Sequence, residues 1–193
     1  MEKLIINKTL IKRISILAFI FFAKSLIAFS YTLDEYAKKP FGNVLFIRHA
    51  LAPGFGDPHN FDLNDCSSQR NLSVEGRDQA HRIGEKFKAT GIKFSKIYSS
   101  QWCRCLETAE LINLGEITAE LGLNSFFQGI APKEKTLTIL RKRLKSIREN
   151  QQLVLMVTHQ VTITAVTGIT VSSGGAVAFS TKSGESREVI ILD

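Results

Sequence analysis

The stretch Val44-Leu45-Phe46-Ile47-Arg48-His49-Ala50-Leu51-Ala52-Pro53-Gly54 decides the fold. Its first four residues are an unbroken apolar run of strand formers, the pattern of a central strand covered on both faces. The run ends abruptly in a cation and a titratable imidazole, and Ala52-Pro53-Gly54 allows no further regular structure. Ligands of open α/β sheets bind beyond the carboxyl ends of the strands, so Arg48 and His49 mark the expected site.

A second run of the same kind, Leu153–Val157, ends in Thr158-His159. Between the two lie helical patterns. Ser73 is a suitable N-cap for a helix in which Ala80, Ile83 and Phe87 line one face and which Gly91 stops. Lys96-Ile97-Tyr98 reads as a short strand, and Ser99-Ser100 as the cap of a helix from Gln101 to Leu114. Residues 115–131 read as irregular. Lys135–Asn150 is strongly amphipathic, with Leu137, Leu140, Leu144 and Ile147 inward and a basic outer face. A further helix runs to Thr167 and ends at Gly168, and two late strands follow at Ala176–Phe179 and Glu188–Leu192. Strands alternating with helices predict a three-layer α/β/α fold around a largely parallel sheet. Tyr31–Asn43 is a lead-in, and the polar connection from His49 to Asn71 is long enough to be functional.

The 193 residues carry a formal charge of +7. Residues 1–30 hold Lys3, Lys8, Lys12, Arg13 and Lys24 against Glu2, so they supply +4 of it and the rest only about +3. That modest excess suits small anionic substrates and not a nucleic acid. The first thirty residues themselves pattern as an export signal. A basic segment precedes the apolar run Ile14–Ala23, and Ala28-Phe29-Ser30 has the small-x-small form of a cleavage site. Lys24 interrupts the pattern, and the alternative is an uncleaved anchor too short to span a bilayer. The expectation is a signal peptide over residues 1–30, one domain over 31–193, and a periplasmic or secreted protein. Membrane contact is expected through the signal segment alone. Of the three cysteines, Cys103 and Cys105 lie two apart and do not face each other on a helix. Either Cys66 bridges one of them, tethering the long loop, or all three are buried thiols.

The chemistry follows from topology. Should the two histidine-terminated strands be parallel neighbours, His49 and His159 meet at one sheet edge. Arg104, in the first turns of a helix that follows another strand, joins them there. Two arginines, two histidines and a helix N-terminus make a phosphate pocket, because guanidinium forks match tetrahedral oxyanions and the helix end adds backbone donors. Cations beside His49 keep its imidazole neutral and nucleophilic. His59 and His81 fall on exposed stretches. A metal site from His49, His59, Cys66 and Asp57 lacks tight ligand spacing, and no cofactor is expected.

Four segments in order resemble a known family. Arg48-His49-Ala50 is similar to the Arg-His-Gly signature of the histidine phosphatase superfamily, in its phosphoglycerate mutase-like branch. Leu72-Ser73-x-x-Gly76 resembles its Leu-Thr-x-x-Gly helix start. Ser99-Ser100-x-x-x-Arg104-x-x-x-Thr108-Ala109 matches its second-arginine segment, and Thr158-His159 its second histidine. The resemblance implies a phosphatase working through phosphohistidine on His49, with Arg48, Arg104 and His159 binding the phosphoryl group. Two departures stand out. Ala50 replaces glycine, and neither position where the family carries its proton donor holds a carboxylate, since Ser125 follows Leu123-Asn124 and Gln160 follows His159. Asp57, Asp62, Asp65 and Glu120 remain as acids nearby. A missing acid favours phosphoanhydrides, phosphohistidine or aryl phosphates over alkyl esters. It also motivates a second reading, a catalytically silent module of this fold that binds phosphorylated ligands. A phosphosugar mutase would need a phosphodonor pool that an exported protein lacks.

Overall fold

The computed structural model describes residues 30–148 and 153–192. The segment read as a signal peptide lies outside the described residues apart from Ser30. Among the described residues the elements are β1 (Tyr31–Thr32), α1 (Leu33–Lys38), β2 (Val44–Arg48), α2 (Val74–Thr90), β3 (Phe94–Ser99) and α3 (Cys103–Ile112). They continue with β4 (Ile117–Ala119), α4 (Lys133–Ser146), β5 (Leu153–Thr158), α5 (Gln160–Thr167), β6 (Ala176–Phe179) and β7 (Ser186–Ile190). The strands form one sheet in the order β1-β7-β6-β2-β5-β3-β4. Four of its six pairings are parallel, and β6 runs antiparallel to both β2 and β7.

Both apolar runs are buried, apart from the half-buried Leu153 at the start of β5, because each has helices on either face. Leu45, Ile47, Leu155 and Val157 point to the side of α2 and α3, among Ala80, Ile83, Phe87 and Ile112. Val44, Phe46, Val154 and Met156 point to the side of α4 and α5, among Leu140, Leu144 and Ile163. The strand period of two thus feeds two cores from one sequence run. That is the three-layer α/β/α architecture expected.

The caps of α2 are as read. Ser73 Oγ accepts from Gly76 N at 3.1 Å, and Gly91 closes the helix at φ 72°. Gly76 is a packing requirement, since a Cβ there would meet the Leu51 carbonyl oxygen at 2.0 Å. The loop leaving β2 crosses α2 at that point, and Ser73 N donates to the same carbonyl at 3.1 Å.

Several expectations are corrected. The lead-in contains β1 and α1, the latter capped by Thr32 and Glu35 in a reciprocal capping box. Residues 115–131 include β4 and two short 3-10 turns at Leu121–Leu123 and Phe127–Gly129. Helix α3 starts at Cys103 instead of Gln101, since Ser99 is still strand and Trp102 occupies the cap without a side-chain bond. Helix α4 ends at Ser146, and Ile147 stays buried just beyond it.

Candidate active site

Parallel pairing of β2 with β5 puts Arg48 opposite Thr158. The next residue of each strand is therefore a histidine at the same sheet edge. His49 N donates to Thr158 O at 2.9 Å, and the two imidazole rings lie 5.4 Å apart at 67°. Arg104 reaches them from the first turn of α3. Its Nε is 3.3 Å from His49 Nε2 and its Nη2 is 3.4 Å from His159 Nδ1. The structure brings together all four residues singled out from the sequence, Arg48, His49, Arg104 and His159. With Arg70 they line a cavity of about 300 Å³.

The hydrogen bonds fix each tautomer. His49 Nδ1 lies 2.8 Å from the Ala50 carbonyl, an acceptor only, so Nδ1 carries the proton and Nε2 keeps its lone pair. Donation from Arg104 to Nε2 agrees. Burial, then the charge of Arg104, push the His49 pKa down to about 3 against the raising effect of the Ala50 carbonyl. Burial therefore outweighs the cations that the sequence reading credited. For His159 the assignment is reversed. Guanidinium only donates, so Nδ1 accepts and Nε2–H donates to Ser100 Oγ at 2.9 Å. Ser100 Oγ in turn donates to Asn124 Oδ1 at 3.2 Å, and Gln101 N holds that oxygen at 2.9 Å. Burial, then Arg104, hold His159 neutral as well.

Ala50 is tied down by Thr108, whose Oγ1 accepts from Ala50 N at 3.0 Å and donates to Arg104 O at 2.6 Å. One hydroxyl thereby links the two halves of the site. Ala50 takes no left-handed conformation, which is why alanine serves where the family has glycine.

Arg48 donates to Val171 O at 3.0 Å, while its buried Nε has no partner. Arg70, which the sequence reading missed, lines the same cavity and donates to Gly56 O at 2.7 Å and to Ala52 O. The signal was an arginine two residues before Leu72-Ser73, at the end of the long loop. The helix N-terminus adds less than expected, because Trp102 N and Cys103 N already donate to Ser100 Oγ and Gln69 Oε1.

Of the four carboxylates weighed, only Asp57 lines the cavity. Arg104 Nη1 and Nη2 grip its two oxygens at 2.7 and 3.0 Å, and Arg70 N and Trp102 Nε1 donate at 3.2 and 3.1 Å. The side chain is 4 % exposed. Burial pushes its carboxyl up, but the bonds and charge of Arg104 outweigh that and hold it below the usual range. Asp62 and Asp65 sit in the loop turned around Ser68, and Glu120 pairs with Arg143 at 2.6 Å. Three guanidiniums facing one carboxylate leave the cavity with about two positive charges, matching a phosphoryl dianion.

Cys66 bridges Cys103, one of the two pairings the sequence left open, and ties the loop to the first residue of α3. Cys105 is a buried thiol 3.5 Å from His159 Nε2, and burial pushes its pKa up to about 12. Trp102 is buried core stacked on Phe61, whereas Phe127 lines the cavity. His59 and His81 are exposed. Among the described residues no cluster of three or more His, Cys, Asp or Glu side chains is arranged to hold a metal ion.

Similarity to known proteins agrees with this geometry. The chain is 32 % identical over 81 residues to the mitochondrial serine/threonine-protein phosphatase PGAM5 of Rattus norvegicus, and 31 % over 81 residues to that of Homo sapiens. Those matches cover 42 % of this chain and a quarter of the relatives' own length. The fold is shared with a mycobacterial glucosyl-3-phosphoglycerate phosphatase solved with inorganic phosphate, at a TM-score of 0.53 and 14 % identity over 78 % of this chain and 97 % of that one. It is shared too with a phosphoserine phosphatase from Entamoeba histolytica, at 0.52 and 16 % over 75 % and 93 %. The family model for the histidine phosphatase superfamily (branch 1) matches residues 44–143, more than half of the sequence, and the chain belongs to that superfamily.

Proposed function

We propose that this chain is a phosphatase that hydrolyses a phosphoester or phosphoanhydride through a phosphohistidine on His49, without a metal ion. The observation that carries the reading is His49 Nε2, unprotonated and accepting from Arg104 Nε at 3.3 Å, on a cavity it shares with Arg48, Arg70 and Arg104. Phosphoryl oxygens take up the arginine donors that line the cavity. Nε2 attacks phosphorus and the leaving group departs with its electron pair, which splits one displacement into two. Water then attacks the phosphohistidine and releases phosphate. His159 keeps Nε2–H on Ser100 and accepts from Arg104 Nη2 at Nδ1, so it orients the guanidinium that meets the phosphoryl group. Charge spread over the phosphoryl oxygens is what the arginines stabilise.

Asp57 is saturated with donors and held ionised, so it orients Arg104 and supplies no proton. With no acid to assist departure, the substrate class narrows to good leaving groups. The same observation favours the second reading, a binding module that holds phosphorylated ligands without turnover. Incubation with p-nitrophenyl phosphate and acetyl phosphate in EDTA, comparing wild type with His49→Ala, separates the two. Acid-labile phosphate trapped on wild type and absent from His49→Ala supports the enzyme, and no His49-dependent turnover on either substrate leaves the binder.

We further infer an exported protein, periplasmic or secreted, cleaved near residue 30. The Cys66–Cys103 bridge supports that reading, since disulfides persist in oxidising compartments. N-terminal sequencing of material recovered outside the cytoplasm tests it, and an intact Met1 there refutes cleavage.

A further inference from the structure

Phe55 stands out on the surface. It is 86 % exposed, yet its backbone is anchored on both sides. Arg70 holds the Ala52 carbonyl before it and, through Nε at 2.7 Å, the Gly56 carbonyl after it, and Arg104 grips Asp57. The phosphate-binding arginines therefore fix the position of this ring relative to His49. A second ring, Phe127, meets it edge to face at 4.9 Å and 89°. The two come from different loops, fastened together where Asp57 N donates to Gln128 Oε1 at 2.9 Å. Both rings line the same cavity as His49 and Arg48, and that cavity is roomier than a phosphoryl group requires.

Resting on the phosphatase reading, we propose that Phe55 and Phe127 form the leaving-group subsite and that the ligand is an aryl phosphate, a phosphoryl group on a flat aromatic ring. Two independent observations converge on this class. An apolar aromatic wall at a pocket mouth rewards a flat ring, through area and through edge-to-face geometry. Separately, a pocket without a free acid needs a leaving group that departs as an anion. A phenol, with a pKa of about 10, does so far more readily than an alcohol whose proton is held about as tightly as that of water, at about 16. The step balances without an acid. His49 Nε2 bonds to phosphorus as the phosphorus–oxygen bond breaks, and the electron pair leaves on the aryloxide. Water displaces the imidazole and departs as dihydrogen phosphate, which passes one proton to the aryloxide.

The test uses Phe55→Leu, Phe127→Leu and the double variant, which keep apolar bulk and remove the rings. The substrates are phenyl phosphate and acetyl phosphate, the latter an equally unassisted substrate without a ring. Each substitution is expected to lower kcat/KM on phenyl phosphate by about three- to tenfold, the worth of one aromatic pair, and to leave acetyl phosphate within about twofold. Equal losses on both substrates, or none on phenyl phosphate, overturn the proposal. Binding is read separately by calorimetry with phenylphosphonate and methylphosphonate, which need no turnover. Tighter binding of phenylphosphonate by about tenfold, collapsing in the double variant, supports the subsite even if the wild type hydrolyses nothing, in which case the phosphatase reading alone fails. Equal affinity for the two phosphonates overturns the subsite. Phenyl phosphate compared with a phosphotyrosyl peptide then names the source of the ring, and either ordering supports the aryl class.

Discussion

Replacing Asp57 by Asn tests the electrostatic frame of the site most directly. Its two oxygens accept four N–H donors, two from Arg104 and one each from Arg70 N and Trp102 Nε1. Asparagine keeps one oxygen and turns an NH2 group toward the other two donors. One charged and one neutral hydrogen bond are lost, and Arg104 stays buried without its counter-charge. Breaking a buried pair on one side costs about 3–5 kcal/mol. In a domain of this size each kcal/mol lowers Tm by about 2–4 °C, so Asp57→Asn is expected to unfold about 6–20 °C lower at pH 7. Circular dichroism melts read this directly. The sign with pH follows from the lowered carboxyl pKa. Its stabilisation is full above the unfolded value of about 3.9 and fades as pH falls through the folded one, so the gap between variant and wild type narrows below about pH 4. A drop of under about 2 °C at pH 7 refutes the idea that this carboxylate holds Arg104 in place.

Three further outcomes are expected. His49 and His159 stay neutral when folded and protonate near pH 6.5 when unfolded, so stability falls with acidity; from pH 7 to 5 each removes about 2 kcal/mol, and urea titrations of His159→Asn should recover that share. Thr108→Val strands the buried Ala50 N–H, a cost of about 1–3 kcal/mol, and a thermal melt should show it together with a loss of kcat/KM because Ala50 orients His49. Removing the Cys66–Cys103 bridge, which spans 37 residues, should cost about 4 kcal/mol of loop-closure entropy, read by denaturant titration of the doubly serine-substituted chain with Cys105 left in place.

The two histidine-terminated strands were legible because central strands must be apolar along their whole length, so a sudden Arg-His or Thr-His can only be their end. Ser73 and Gly91 were legible as caps for reasons local to the backbone. The rest was hidden for two physical reasons. Strand β4 is three residues at the sheet edge with one half-buried side chain, and β1 is two residues, so neither leaves a burial period in the sequence. The work of Asp57 and Arg70 depends on partners far along the chain, Asp57 lying 47 residues from Arg104. Polar loop residues carry no periodicity to announce such a pairing. The same holds for Phe55, whose position relative to His49 comes from loop anchors far along the chain, Arg70 and Gln128 among them.

Strand β2, which delivers His49, has as its neighbours β5 and β6, both drawn from residue 153 onward. While a ribosome still encloses that later segment, the strand that carries His49 has no lateral partner and the arginines have nothing to converge on. The cavity between His49 and His159 therefore takes shape only after residues 153–179 have emerged and paired with β2.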